Sequence, residues 1–139
     1  MGFEMKVGDC MTKGVITLSE DKTALEAAKL LAKKNIGSII ITSKGDAVGI
    51  LTERDIIHKI VAKELDPSKQ KLSQIMSKPL KAVEASQTIE EAALAMRKHG
   101  IKRLPVLEKG NLVGIISEGD LISVYPGIIG IISESPHMK

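Results

Sequence analysis

The sequence predicts an α/β (α+β) chain of two pseudo-two-fold-related β-α-β-β-α repeats packed through their sheets. Three observations predict it. The chain matches itself without a gap from Val7 to Ile60 at an offset of 65 residues, the mark of an internal duplication. Each copy alternates short apolar runs with a segment of helical periodicity. Each copy also ends on the same motif, Gly49-Ile50-Leu51-Thr52-Glu53-Arg54-Asp55 and Gly114-Ile115-Ile116-Ser117-Glu118-Gly119-Asp120.

The elements follow in order. Each repeat opens with a short leading segment, Val7–Met11 or Leu72–Met76, with the spacing of one helical turn. A short strand comes next, Val15–Leu18 or Leu80–Val83. Thr23 with Glu26, and Thr88 with Glu91, then form the Thr-x-x-Glu pattern of a capping box. Ala24, Ala27, Ala28 and Leu31 fall on one helical face. Ile89, Ala92, Ala93 and Met96 form the same face in the second copy, and both faces read as core. Asn35 and Gly100 stand where a left-handed cap ends a helix. The second strands are Ser38–Thr42 and Arg103–Leu107. The first is a nearly continuous apolar run, the pattern of a strand covered on both faces. Lys44-Gly45-Asp46 and Lys109-Gly110-Asn111 are tight turns into third strands, Ala47–Leu51 and Leu112–Ile116. The closing helices run over Glu53–Lys63 and Glu118–Tyr125. The organisation is therefore a first repeat at 7–63, a polar linker at 64–71, a second repeat at 72–125 and a tail at 126–139, together forming one module. In the tail, Pro126-Gly127 breaks the helix. Ile128-Ile129-Gly130-Ile131-Ile132 then reads as an extra strand or arm, or as a subunit contact.

Composition bounds the function. The 139 residues are 43% hydrophobic and 27% charged, as in a soluble globular protein. Phe3 and Tyr125 are the only aromatics, so Ile, Leu, Val, Ala and Met must build the core. The same scarcity disfavours a nucleic-acid surface that works by stacking bases on rings. The formal net charge of +3 is mild, with lysines spread along the chain. Cys10 is a lone cysteine, so no intrachain disulfide forms. With no signal peptide and no apolar run long enough for a bilayer, the cytoplasm is the expected location and no membrane contact is expected.

The repeated motif carries the chemistry. Its Gly leaves room for something to approach the backbone. Its Thr or Ser occupies a helix N-cap, and its Asp, in the first helical turn, can accept hydrogen bonds from hydroxyls. A helix N-terminus attracts phosphate, and a nearby acidic residue suits a ribose diol. His58, His99 and His137, with Cys10, form no zinc spacing. No triad motif and no Gly-rich phosphate loop with Lys is present. The chain is therefore expected to be no enzyme, to hold no metal and to need no cofactor.

These residues resemble the cystathionine β-synthase (CBS) domain, and the tandem resembles a CBS pair, or Bateman module. The marks are Met11 and Met76, the Ala-Ala helices, Lys102-Arg103-Leu104-Pro105-Val106, the Lys-Gly turns and the paired Gly-x-x-[Thr/Ser]-x-x-Asp segments. The resemblance implies a stand-alone regulatory module, an energy or metabolite sensor. It implies binding of adenosine compounds (AMP, ADP, ATP or S-adenosylmethionine) in two clefts between the repeats. Asp55 and Asp120 would hold ribose hydroxyls. Thr52 and Ser117 would meet phosphate or ribose, and Lys102 and Arg103 phosphate. Ile16, Thr17, Lys81, Ala82, Gly49, Ile50, Gly114, Ile115 and Pro105 would enclose adenine. Both copies keep the Asp and the hydroxyl, so both clefts are expected to accept ribose. Gly37-Ser38 replaces the basic pair in the first copy, so their phosphate affinity is expected to be unequal, with Lys102 and Arg103 open to either cleft. Implied partners are a second copy in a homodimer and a separate effector protein. The alternative is an interaction or nucleic-acid-binding module whose nucleotide clefts are vestigial, which the basic charge slightly favours.

Overall fold

The computed structural model describes residues 5–132. It contains two three-stranded sheets, ordered β1-β2-β3 and β4-β5-β6. The elements are α1 (Val7–Cys10), β1 (Thr17–Ser19), α2 (Ala24–Lys34), β2 (Ser38–Ser43), β3 (Asp46–Thr52), α3 (Glu53–Ile56), α4 (Leu72–Ile75), β4 (Val83–Glu84), α5 (Ile89–His99), β5 (Arg103–Glu108), β6 (Asn111–Ser117), α6 (Glu118–Val124) and α7 (Ile129–Ile132).

Local chemistry accounts for most of these bounds. In α2 the Thr23 hydroxyl accepts the Glu26 N–H at 3.2 Å, and the Glu26 carboxylate accepts the Thr23 N–H at 3.2 Å. Thr88 and Glu91 do the same at the start of α5, at 3.2 and 2.9 Å. Each box satisfies donors that a bare helix start leaves open. Asn35 and Gly100 end these helices with left-handed backbones, φ 54° and 64°. Lys44-Gly45 and Lys109-Gly110 have positive φ at both residues, as a two-residue hairpin turn demands. Within each sheet the first strand pairs parallel to the central one, and the hairpin that follows is antiparallel.

The chain divides into two compact units that do not follow the order of the repeats. One comprises Ile16–Leu80. The other joins residues 5–15 to 81–132, so the leading segment of the first repeat packs in the unit of the second. Val7 donates its N–H to Gln87 O at 2.8 Å, and Gly8 to Ala85 O at 2.9 Å. Thr12 and Ile115 exchange N–H···O bonds at 2.8 and 3.0 Å, extending β6 by one antiparallel bridge. In the Ile16–Leu80 unit, Ser77 and Ile50 exchange the equivalent pair at 2.8 and 3.2 Å.

Each unit has its own core. Ala24, Ala27, Leu31, Ile39, Ile41, Leu51, Ile60 and Leu72 gather in the first. Val7, Ile89, Ala92, Ala93, Met96, Leu104, Ile116 and Leu121 gather in the second. Ile39, Ile40 and Ile41 are all fully buried, so both faces of β2 are covered.

Four expectations are corrected. The first strands begin later than Val15 and Leu80, at Thr17 and Val83, because only Thr17–Ser19 and Val83–Glu84 have ladder partners. Ile16, Lys81 and Ala82 therefore precede their strands. The leading helices end at Cys10 and Ile75; Met11 and Met76 follow with extended backbone. The helix expected over Glu53–Lys63 has one α-helical turn and then a wider π-helical turn at Ile57–Val61. The apolar tail is not a strand. A 3₁₀ turn at Pro126–Ile128 leads into α7, and Ile128 is fully buried in the core of its own unit. A short apolar run has no periodicity to separate strand from helix, and packing against α5 decides it. The remainder of the tail, 133–139 with His137, lies outside the described residues.

Candidate functional site

The two motifs form corresponding strand-to-helix corners, one in each unit. β3 ends at Thr52, the N-cap of α3, and β6 ends at Ser117, the N-cap of α6. Asp55 and Asp120 occupy the third helical position. The Asp55 Oδ2 accepts the Thr52 N–H at 2.9 Å, while the Thr52 hydroxyl accepts the Asp55 N–H at 3.2 Å. Asp120 Oδ2 accepts the Ser117 N–H at 2.9 Å, and the Ser117 hydroxyl accepts the Asp120 N–H at 3.0 Å. Both motifs are thus capping boxes with Asp in the place of Glu. Each hydroxyl has a structural task, and one oxygen of each carboxylate is engaged with its own backbone.

The other oxygen separates the two corners. Asp55 Oδ1 accepts the Ser77 hydroxyl at 3.1 Å and lies 3.1 Å from the Lys59 ammonium. Lys59 also donates to Ile75 O at 2.8 Å. The Asp55 side chain is 8% exposed. Asp120 is less buried, and among the described residues its Oδ1 has no partner. The repeat supplies Val124 where the first copy has Lys59, so the cation is missing there.

The basic pair sits at the Asp120 corner. Lys102 O accepts the Glu118 N–H at 2.8 Å, Arg103 lies opposite Ser117 in the hairpin, and both side chains are exposed. In the other unit Gly37 O accepts the Glu53 N–H at 3.1 Å and Ser38 lies opposite Thr52. The unequal charge at the two corners is therefore a matter of position as well as sequence.

The motif glycines answer to packing. A Cβ on Gly49 would lie 2.7 Å from Met76 Sδ and 3.0 Å from Ser77 O. On Gly114 it would lie 2.5 Å from Met11 Sδ and 2.9 Å from Thr12 O. What approaches the backbone at these glycines is a leading segment of the chain itself. Ile50 and Ile115 are half-buried and hold those segments by their backbone bonds. Pro105 is buried and lies opposite Ile115. Thr17 and Lys81 are exposed, and Ile16 and Ala82 half-buried. Thr17 and Ile16 meet β2 beside Ile40, whose N–H donates to Ile16 O at 3.2 Å.

Sequence reasoning did not single out Lys59 or Ser77. Lys59 stands four residues after Asp55, an ion-pair spacing on a helix that was legible. Ser77 comes from the next repeat's leading segment and had no such signal. Cys10, half-buried, has its thiol pushed up by burial and then by the nearby carboxylates of Asp9 and Asp120. Among the described residues no group of three or more His, Cys, Asp or Glu could hold a metal ion. No helix among them is long and apolar enough to cross a membrane.

A duplicated α+β module with one acidic capping corner per sheet defines the class. The chain belongs to the CBS domain family, whose model matches residues 7–62 and 72–127. It is 38% identical over 115 residues to the CBS domain-containing protein YhcV of Bacillus subtilis, covering 83% of this chain and 81% of that one. The fold is similar to the CBS domain protein TA0289 of Thermoplasma acidophilum, with TM-score 0.86 and 25% identity over 97% of this chain and 78% of that one. It is also similar to the CBS domain pair of protein MJ0100, solved in complex with 5′-methylthioadenosine and S-adenosyl-L-methionine. There the TM-score is 0.79 and the identity 30%, over 88% of this chain and 97% of that one.

Proposed function

We propose that this protein is a regulatory CBS pair that binds an adenosine-containing compound, AMP, ADP, ATP or S-adenosylmethionine, at its Asp motifs and reports occupancy to another protein. The observation that carries the reading is the Asp120 corner. It joins a carboxylate with one oxygen open among the described residues, a capping hydroxyl and the exposed Lys102-Arg103 pair. Those are the groups that a ribose diol and a phosphate require. The MJ0100 complex with two adenosyl compounds supports the choice of ligand class. Asp55 and Thr52 supply the same residue types in the first repeat. Ile16, Thr17, Ile50, Lys81, Ala82, Pro105, Ile115 and the motif glycines are the proposed surroundings of the base.

The reading is of a sensor and not an enzyme, because among the described residues no nucleophile is set beside an activating base. A ligand shifts a conformational equilibrium only through its different affinity for two states, so the output needs a partner surface. Exposed Ile57 and Val61, four residues apart, support contact with a second copy or an effector. The cytoplasm is the proposed location.

A thermal-shift screen against AMP, ADP, ATP, S-adenosylmethionine, methylthioadenosine and GTP tests the proposal. A ligand specific to the native state adds about 2.7 kcal/mol at 100 times its Kd. A selective rise in Tm with one adenosine compound is the expected result. Silence with all of them, together with salt-sensitive binding to RNA or DNA, would favour a nucleic-acid module instead.

A further inference from the structure

We infer that Lys59 is a built-in counter-cation that closes the Asp55 motif, so that each chain takes a single adenosine compound, read by Asp120. This rests on the proposed adenosine function and narrows it. A diol is held by donating two hydroxyls to a carboxylate with oxygens to spare. Asp55 has none. Its Oδ2 accepts the Thr52 N–H at 2.9 Å, and its Oδ1 is shared by the Ser77 hydroxyl and the Lys59 ammonium, each at 3.1 Å. The ammonium is anchored a second time on Ile75 O at 2.8 Å. An entering diol must displace both Ser77 and Lys59, exchanging an ion pair charged on both sides for a bond charged on the carboxylate alone. The bond to Ile75 O holds the ammonium beside Asp55 against that exchange. At the second corner no described residue has to be displaced from Asp120 Oδ1, and Val124 stands where the repeat would need the lysine.

The inference differs from the expectation that both motifs accept ribose. The unequal basic pairs change affinity for phosphate, whereas Lys59 acts on the diol itself. It predicts that the asymmetry persists for a ligand without phosphate.

Equilibrium dialysis with methylthioadenosine and with AMP, counting equivalents per chain, tests it. The wild type is expected to bind one equivalent and Asp120→Asn none. Lys59→Met keeps the side-chain stem without the charge and is expected to bind two. The double variant Lys59→Met/Asp120→Asn should keep one. Circular dichroism confirms that each variant is folded, and the wild-type count needs no variant. Two equivalents on the wild type, or one retained by Asp120→Asn, would overturn the inference while leaving the adenosine reading intact. No binding of either compound to the wild type or to Lys59→Met would overturn both.

Discussion

At the residue scale, like positions in the two repeats carry different tasks. Arg103 lies opposite the Ser117 cap, while Ser38 holds the equivalent place beside Thr52. If Arg103 reads phosphate, Arg103→Ala weakens binding of AMP by about tenfold, since a charge-assisted bond contributes roughly 1.5 kcal/mol. Binding of adenosine should be unchanged. Calorimetric titration of both ligands checks this, and equal losses would remove Arg103 from the phosphate site. Gly114 and Gly119 give a second contrast. Gly114→Ala drives a methyl against Met11 and the Thr12 carbonyl, and a backbone carbonyl cannot swing away. The expected loss is about 1–3 kcal/mol in urea unfolding. At Gly119, inside α6, the nearest atom to a new Cβ is Ser117 Oγ at 3.7 Å. Gly119→Ala should therefore gain up to about 1 kcal/mol from helix propensity.

At the scale of elements, the capping boxes set where the long helices begin. Hydrogen bonds from the Thr23 backbone and hydroxyl hold the Glu26 carboxyl below its ordinary range, with smaller help from Lys22 and Lys29. A carboxyl whose folded pKa is depressed stabilises the protein above its unfolded pKa. That contribution is lost as pH falls through the lower, folded value. Stability should thus decline below about pH 4.3, the free glutamate value. Glu26→Gln keeps an acceptor but removes the proton linkage, so its acid limb should be flatter. Thermal melts across pH 2.5–7 (a range chosen to bracket about pH 4.3) compare the two, and parallel curves would remove Glu26 from the linkage. The fate of the apolar tail also belongs here. Ile128 enters the core beside α5 as part of a helical turn, and no strand edge receives it.

At the scale of the molecule, the compact units exchange their leading segments relative to the repeats. Val7 is fully buried in the core built from 81–132, although 65 residues or more separate it from most of its neighbours. A charge at this position should therefore damage the second sheet and not the first. In Val7→Asp, hydrogen exchange is expected to lose protection over β5 and β6 while β2 and β3 keep theirs. The burial of an unpaired carboxylate makes the cost several kcal/mol. Loss confined to β2 and β3 would contradict the exchange.

Most of the fold was legible because its signals are local. The Thr-x-x-Glu boxes, the Ala faces, the Lys-Gly turns and the β2 isoleucines act within a few residues of themselves, and a duplication shows each of them twice. The same pairing made Asp55 and Asp120 stand out with their capping hydroxyls. What the glycines make room for, and how each carboxylate is occupied, depended on segments far away in the chain. Met11 reaches Gly114, and Ser77 reaches Asp55, only after the leading segments have crossed into their units. Sequence by itself determined the repeats, the helix starts and the candidate acidic residues, because backbone geometry and short-range capping impose them. Tertiary structure alone decided which segment completes each sheet and which Asp keeps an open oxygen, because burial and a shared hydrogen bond are properties of neighbours in space.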